Sequence, residues 1–484
     1  MLNKRDLVRV FVKGGIISPG DLLKIIITAE ELGADYIHFG SRQDILFPVA
    51  EKKRDTLEAT FKSIQTQYDC DEDGYQNIVS SYAALDVMAS SSWLAPHMYH
   101  YILDTFDYQP HIKINVVDPA QSMVPLYTGH LNFIASEKEN YWFCYIRSSD
   151  SDTKLWKCPE LIYSFDLVKI SRFIEQNELL NEDTNWDEEW KKIKSSSSLE
   201  LNTVPIENQL AVPSDPFPYY EGMNRLPDGK YWLGLYWRNN KYSISFLKVL
   251  CLLCQDTKVG KISLTPWKSF IVKGIDKREL ITWEKLLGKF GLNVRHSALE
   301  LNWHLPVLDE EALALKNYLV RALDKQDIST YGLTFTIKKN ALILFTTVVI
   351  ERTLKDDNWN NDTYNILYAK GFDPNNSEYT YYARDVRKET LPTLMIEVSH
   401  MYYEQLDTPS YLSESDTPVE HKVQLNYQCP NCLTVYDESL GDPEQNIKEG
   451  TLFMLLPDDY ECSVCGNPKD TFVEMVGNGN ANVE

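Results

Sequence analysis

Two cysteine pairs near the end of the chain constrain this sequence more than any other feature. Cys429-Pro430-Asn431-Cys432 is answered thirty positions later by Cys462-Ser463-Val464-Cys465. Each pair can hold one side of a tetrahedral metal site, its short turn aiming both sulfurs the same way. Four soft sulfurs in a tetrahedron suit zinc or a single iron, and the spacing alone does not choose between them. The chain has nine cysteines. The five outside this constellation are scattered, which fits a reducing compartment better than a disulfide framework.

The residues around the pairs narrow the choice. Tyr436-Asp437 follows the first pair, then Gly441-Asp442-Pro443, Gly450 and Leu456-Pro457-Asp458-Asp459-Tyr460; Gly466, Pro468-Lys469 and Phe472 close the segment. From about Lys422 to Met475 this run resembles rubredoxin, the small electron carrier with one iron held by four cysteines. The resemblance implies Cys429, Cys432, Cys462 and Cys465 as iron ligands, with Tyr427, Tyr436, Tyr460 and Phe472 as the aromatic core beside them. Some positions depart from the family. Leu433 stands where glycine is favoured, a placement that costs about 1 kcal/mol if the turn needs positive φ. Ser463 replaces a usual proline and Tyr460 a usual tryptophan, and Asn431 puts a polar side chain beside the sulfurs, where hydrogen bonding tunes the potential.

At 484 residues the chain is too long for one core and predicts several domains. Its 43% hydrophobic and 12% aromatic content argues for packed globular structure. No apolar run reaches the length of a membrane span and the N-terminus lacks the apolar core of a signal peptide, so the expected location is cytoplasmic, away from membranes. The net charge of −22 argues against nucleic acid, since nothing offsets phosphate repulsion. After Glu420 there are about four times as many acidic as basic residues. The natural complement is a redox partner with a basic docking face.

The first 70 residues alternate strand and helix signals. Leu7 to Lys13 suits a strand, broken by Gly14-Gly15. Ser18-Pro19 supplies an N-cap and a first-turn proline for a largely apolar helix that Gly33 stops. Tyr36 to Phe39 and Ile45 to Val49 read as strands around Gly40-Ser41-Arg42-Gln43, with a further helix over roughly Lys53 to Gln67. A similar plan recurs about 225 residues later. Tyr231 to Trp237 is a strand and Ser243 to Leu253 a helix. Lys261 to Leu264 and Phe270 to Val272 are paired strands, joined by Thr265-Pro266-Trp267-Lys268, and Trp283 to Phe290 is the following helix. A repeat at this distance means duplication of a large unit.

The repeat carries a second resemblance. Gly-Gly-x-x-Ser-Pro before a helix, Ser41-Arg42-Gln43, and Leu264-Thr265-Pro266-Trp267 look like the ferredoxin-like half-domains of sirohaem nitrite and sulfite reductases. That family places an α/β lobe after each half-domain. Gln76-Asn77-Ile78, Pro110 to Ile114 and Gly129 to Phe133 resemble the first lobe; Tyr364 to Gly371, Ala383 to Val386 and Leu391-Pro392 resemble the end of the second. The family binds a [4Fe–4S] cluster through C-x5-C and C-x3-C, whereas this chain has no cysteine between Cys254 and Cys429. Gln76 stands where the family commonly uses arginine, and His111 replaces the first lysine of a Lys-x-Lys pair. Arg42 and Lys113 remain as a vestigial sirohaem site. Eight sirohaem carboxylates need cationic partners, so this thinned set predicts that sirohaem and the [4Fe–4S] cluster are both absent.

The expected fold is α+β. It comprises ferredoxin-like half-domains at 1–70 and 216–300, reductase-like lobes at 71–215 and 301–406, a linker at 407–421 and a rubredoxin-like domain at 422–476. Ser195 to Ser198 and the prolines from Pro205 to Pro218 read as an irregular connection, and Gly477 to Glu484 as a disordered end. Cys251 and Cys254 read as core cysteines in an apolar helix, and His97 and His100 as surface or packing residues. The expected function is electron transfer by one iron cycling Fe3+/Fe2+, the body serving to dock the partner, a reductase or flavoprotein, rather than to catalyse. Two alternatives stay open: a sirohaem-dependent reductase with altered ligation fed by its own rubredoxin, and a zinc-stapled scaffold.

Overall fold

A computed structural model describes residues 7–70, 74–149, 154–196, 199–212, 216–292, 294, 300, 302–338, 345–353, 362–376, 378–406, 426–432, 434–436, 441–442, 445, 447–448, 451, 453–457 and 459–475. The linker at 407–421, the end at 477–484 and Leu433 lie outside the described residues. The chain divides into two compact units, Met1–Asp407 and Thr408–Glu484.

The larger unit opens with β1 (Leu7–Val10), β2 (Ile16–Ile17), α1 (Pro19–Glu31), β3 (Tyr36–Phe39), β4 (Ile45–Pro48), α2 (Leu57–Ile64) and β5 (Tyr68–Cys70). The sequence dictates much of this. The Ser18 hydroxyl accepts from Asp21 N at 3.0 Å to cap α1, with Pro19 in the first turn. Leu22, Ile25, Ile26 and Ala29 fall on one face and are buried. The expected Lys53–Gln67 helix is shorter. Glu51–Thr56 forms a 3-10 turn with no buried residue, and α2 begins only where Leu57 and Phe61 supply an apolar stripe. Gln65 then ends it at φ 52°.

The first lobe follows with β6 (Ile78–Ser80), α3 (Pro96–Thr105), β7 (Ile114–Val117), β8 (Leu131–Ala135), β9 (Tyr141–Ile146), β10 (Trp156–Lys157), β11 (Glu160–Tyr163), α4 (Leu167–Gln176), α5 (Trp186–Ser195) and β12 (Thr203–Pro205). Part of the expected irregular connection is therefore an edge strand, β12, where Pro205 costs no ladder bond. The second half-domain holds β13 (Gly222–Arg225), β14 (Tyr231–Leu235), β15 (Tyr242–Ser243), α6 (Ile244–Asp256), β16 (Ile262–Leu264), β17 (Phe270–Ile275) and α7 (Leu280–Lys289). The second lobe adds β18 (Trp303–His304), α8 (Glu310–Asp324), β19 (Phe335–Lys338), β20 (Val348–Thr353), β21 (Thr363–Ala369), β22 (Tyr379–Val386) and α9 (Leu391–Leu406). The smaller unit has a sheet of β23 (Asn426–Gln428), β24 (Val435–Tyr436) and β25 (Val473–Met475). The architecture is α+β, as the sequence predicts.

The duplication is structural as well as sequential, and its two copies are interlocked. The first half-domain sheet runs β15-β3-β4-β1-β5 and the second β13-β14-β17-β16-β2, so each takes an edge strand from the other. Ile17 pairs with Ile262, and Tyr242 with Ile37. Adding 225 to Ile17 and Ile37 lands on Tyr242 and Ile262, so the exchange is reciprocal about a pseudo-twofold. Helices α1 and α6 pack together in one core with Ile26, Phe47, Leu250, Cys254 and Trp283. The lobes share a plan too. Strands β6, β7 and β8 run parallel and hand over to antiparallel β9; β18, β19 and β20 run parallel and hand over to antiparallel β21. Among the described residues no helix is long and apolar enough to cross a membrane.

One buried side chain ties three of these parts together. Gln43, fully buried and left-handed at φ 58°, receives Ser80 N on Oε1 at 2.8 Å. Its amide donates to Ser80 O at 3.0 Å and Leu264 O at 2.9 Å. Gln43→Ala would leave all three backbone groups unpaired in the interior, and we expect a loss of about 3 kcal/mol in denaturant unfolding of the body. A loss below about 1 kcal/mol would show that water or relaxation replaces the bridge.

Candidate metal centre

The smaller unit gathers the four predicted sulfurs. Cys429, Cys432, Cys462 and Cys465 all place Sγ within 4.8 Å of one another. The close approaches run across the two loops: Cys429 to Cys465 at 3.6 Å and Cys432 to Cys462 at 3.5 Å. A tetrahedral metal with bonds of about 2.3 Å to sulfur requires sulfurs about 3.8 Å apart. None of the four is in a disulfide. The donor set fits a thiolate-bound metal of that geometry.

Local backbone explains the convergence. Cys429 N donates to Thr434 O at 2.8 Å, and Cys462 N to Asn467 O at 2.7 Å, so each pair closes the same tight loop. Gly466 completes the second loop at φ 68°, where a side chain would be strained. Cys429 and Cys462 are buried, Cys432 is half-buried and Cys465 exposed, which gives the centre one face toward solvent. The Thr434 hydroxyl lies 3.1 Å from Cys432 Sγ. This bond, followed by one from the Thr434 backbone, pulls Cys432 down to about 6, toward the thiolate that binds metal. Burial works against the Cys429 thiolate, but backbone N–H groups of Cys432 and Asn431 outweigh it and lower that thiol as well.

The aromatic core includes the four expected residues and one more. Tyr436 and Tyr460 are buried, while Tyr427 and Phe472 pack partly buried against them. Phe453 lies at the centre. It stacks on Tyr427 at 4.0 Å and also meets Tyr436 and Phe472. Its apolar neighbours Leu452 and Met454 were the available signal. Tyr460 keeps its hydroxyl satisfied on Asp442 Oδ2 at 3.0 Å.

The larger unit holds the two candidate cations on different elements. Arg42 turns inward, giving Nη1 to Asn115 Oδ1 at 2.7 Å and Nη2 to Asn77 O and Ile114 O at 2.7 and 2.8 Å. Lys113 sits just before β7, its backbone carbonyl receiving His130 N and Leu131 N. Gln76 is buried and bonded through its backbone to Pro110 and to the Gln109 amide. His111 hangs its Nδ1 on Gly74 O at 2.6 Å and stacks on Tyr75. An open groove of about 710 Å³ lies beside His111, lined by Tyr68, Tyr75, Tyr108 and His111 with Glu58, Glu175 and Lys62. Arg42 and Lys113 do not line it. With Lys62 the one lysine or arginine in its lining, beside Glu58 and Glu175, this groove is a poor match for a ligand with eight carboxylates. Cys251 and Cys254 are fully buried in α6, as expected, and burial raises both thiols. His100 bonds Tyr82 Oη and Lys261 Nζ, each at 3.0 Å, so it packs rather than binds metal. Sequence reasoning missed the buried ions Lys268, Lys316 and Glu300.

Comparison with known proteins agrees with this division. The rubredoxin family profile matches residues 426–472, and the nitrite/sulfite reductase ferredoxin-like half domain matches residues 3–64. Rubredoxin-1 of Chlorobaculum tepidum is 37% identical over 59 residues, 12% of this chain and 86% of that protein. The probable rubredoxin-2 of Methanocaldococcus jannaschii is 52% identical over 46 residues, 10% of this chain and 82% of that protein. Mycobacterium tuberculosis NirA superposes with a TM-score of 0.65 over 84% of this chain and 81% of its own, at 14% identity, a likeness of fold alone. Through its four-cysteine C-terminal domain the chain belongs to the rubredoxin family, joined to a body with a nitrite/sulfite-reductase-like fold.

Proposed function

We propose that the protein is an electron carrier whose centre is one iron ion held by Cys429, Cys432, Cys462 and Cys465. The observation that carries the reading is the convergence of four thiol sulfurs within 4.8 Å on a rubredoxin frame. Iron in such a site supplies a one-electron Fe3+/Fe2+ couple. The protein's own residues hold the tetrahedron fixed, shield it with the Phe453 aromatic cluster and leave Cys465 toward a partner. We assign the body, half-domains 1–70 and 216–300 and lobes 71–215 and 301–406, to partner docking. The partner is a reductase or flavoprotein with a basic face, complementary to the net charge of −22. We infer that this body carries neither sirohaem nor a [4Fe–4S] cluster. Arg42 is spent on Asn115 and backbone carbonyls, the adjoining groove carries Glu58 and Glu175, and residues 255–428 contain no cysteine.

Protein from iron-replete cells should be red when oxidised, bleach with dithionite and contain one iron per chain; Cys462→Ser should remove colour and iron together. Stoichiometric zinc under those conditions would replace this reading with a structural staple. Thr434→Val should lower the potential of the iron form relative to wild type and to Thr434→Ser. The lost hydroxyl bond to Cys432 Sγ favours the reduced, more negative centre, and voltammetry that puts all three at one value would assign that hydroxyl a packing role. Co-expression with sirohaem synthesis should yield protein without sirohaem absorption and without nitrite- or sulfite-dependent oxidation of reduced viologen. Stoichiometric sirohaem with turnover would instead establish a reductase with altered ligation.

A further inference from the structure

The pseudo-twofold allows each buried residue of one half to be compared with its mate, and one pair does not match. Gln43 and Lys268 are 225 residues apart and occupy the same left-handed turn position, at φ 58° and 59°. Gln43 satisfies itself on Ser80 and Leu264. Lys268 is also buried, only 6% exposed, yet among the described residues its ammonium meets no hydrogen-bond or ion-pair partner. It lines a small, partly open cavity with His38, Tyr236, Asn240, Trp303 and Lys316. That cavity is about 20 Å³, enough for one water-sized body.

The charged groups around Lys268 compensate it only in part. Lys316, 1% exposed, is engaged with Glu300 Oε2 at 2.9 Å and Tyr236 Oη at 3.1 Å. Glu300 is shared with Arg238 at 2.7 Å. Asp44 attracts Lys268 through space but lies against Arg9, 3.4 Å away. Asp309 spends Oδ1 on the first turn of α8. His38 Nδ1 is tied to Asn240 O at 2.6 Å, and buried His304 has no partner for Nε2; burial lowers both imidazoles, so neither supplies a charge at neutral pH. Asp44 and Asp309 thus attract Lys268 only through space, without an ion pair to it, and a second cation, Lys316, stands across the cavity.

We propose that this cavity binds one small monovalent inorganic anion, of halide or nitrite size, held by Lys268 Nζ with Lys316 as the second positive charge. Asn240, which also lines the cavity, holds Phe39 with its Oδ1 and one Nδ2 hydrogen. Burial, then repulsion from Lys316, pulls Lys268 down to about 7. A bound anion favours the protonated amine, so binding strengthens below pH 7 and weakens above it, with a proton taken up as the anion enters near neutrality. The site is independent of the iron reading, since it uses no residue of the smaller unit.

The test uses the full-length protein. Crystals grown in bromide should show an anomalous peak within hydrogen-bonding distance of Lys268 Nζ. In solution, bromide or nitrite at constant ionic strength should raise the thermal midpoint relative to sulfate, more at pH 6 than at pH 9. Lys268→Gln, which installs the residue found at the mate position, should lose both the peak and the anion-specific shift. The wild-type crystal decides the matter even if that variant folds poorly. Water at the site in bromide crystals, or equal midpoints in bromide and sulfate, overturns the proposal. So does a bromide shift that persists in Lys268→Gln.

Discussion

The body of this protein depends on a reciprocal exchange of two-residue strands. Among the described residues neither β2 nor β15 has a strand partner in its own half; each joins the edge of the other half's sheet through Ile17–Ile262 and Tyr242–Ile37. An unpaired sheet edge is a liability in water, and here both edges are covered by one symmetric device. The exchange also brings α1 onto α6 and draws both halves into a single hydrophobic core. The first lobe is fastened to the Gln43 turn through Ser80.

That arrangement determines what the polar residues at the centre do. Asn240 grips both backbone groups of Phe39 across the pseudo-twofold, and Gln43 grips Ser80 and Leu264. Arg42, one residue away, is pulled into the same stitching by Asn77, Asn115 and Ile114. Three of the five guanidinium N–H donors are thereby engaged inside the protein. The buried Lys316–Glu300 pair, which Arg238 joins from the surface, has the same character, since breaking a buried pair costs more than the pair itself contributes.

The metal centre is organised on the opposite principle, with short-range order doing nearly everything. Each cysteine pair is shaped by hydrogen bonds spanning five residues, Cys429 to Thr434 and Cys462 to Asn467. The long-range contribution is the aromatic cluster around Phe453, which fastens the two loops to each other. Thr434 adds a hydroxyl beside Cys432, a chemical choice made independently of the fold.

This contrast explains what was legible in the sequence. Ser18-Pro19, the apolar stripe of α1, the 225-residue repeat and the four cysteines act locally or by self-similarity, so the sequence alone determined the elements, the duplication and the sulfur set. Leu57 rather than Lys53 starts α2 for an equally local reason, the lack of an apolar face before it. Tertiary structure decided the rest. Which strand closes which sheet depends on partners 200 and more residues away. The fate of Arg42 and the isolation of Lys268 depend on distant carbonyls and carboxylates, and hydrogen-bond partners at such range leave no periodicity or spacing in the chain that holds them.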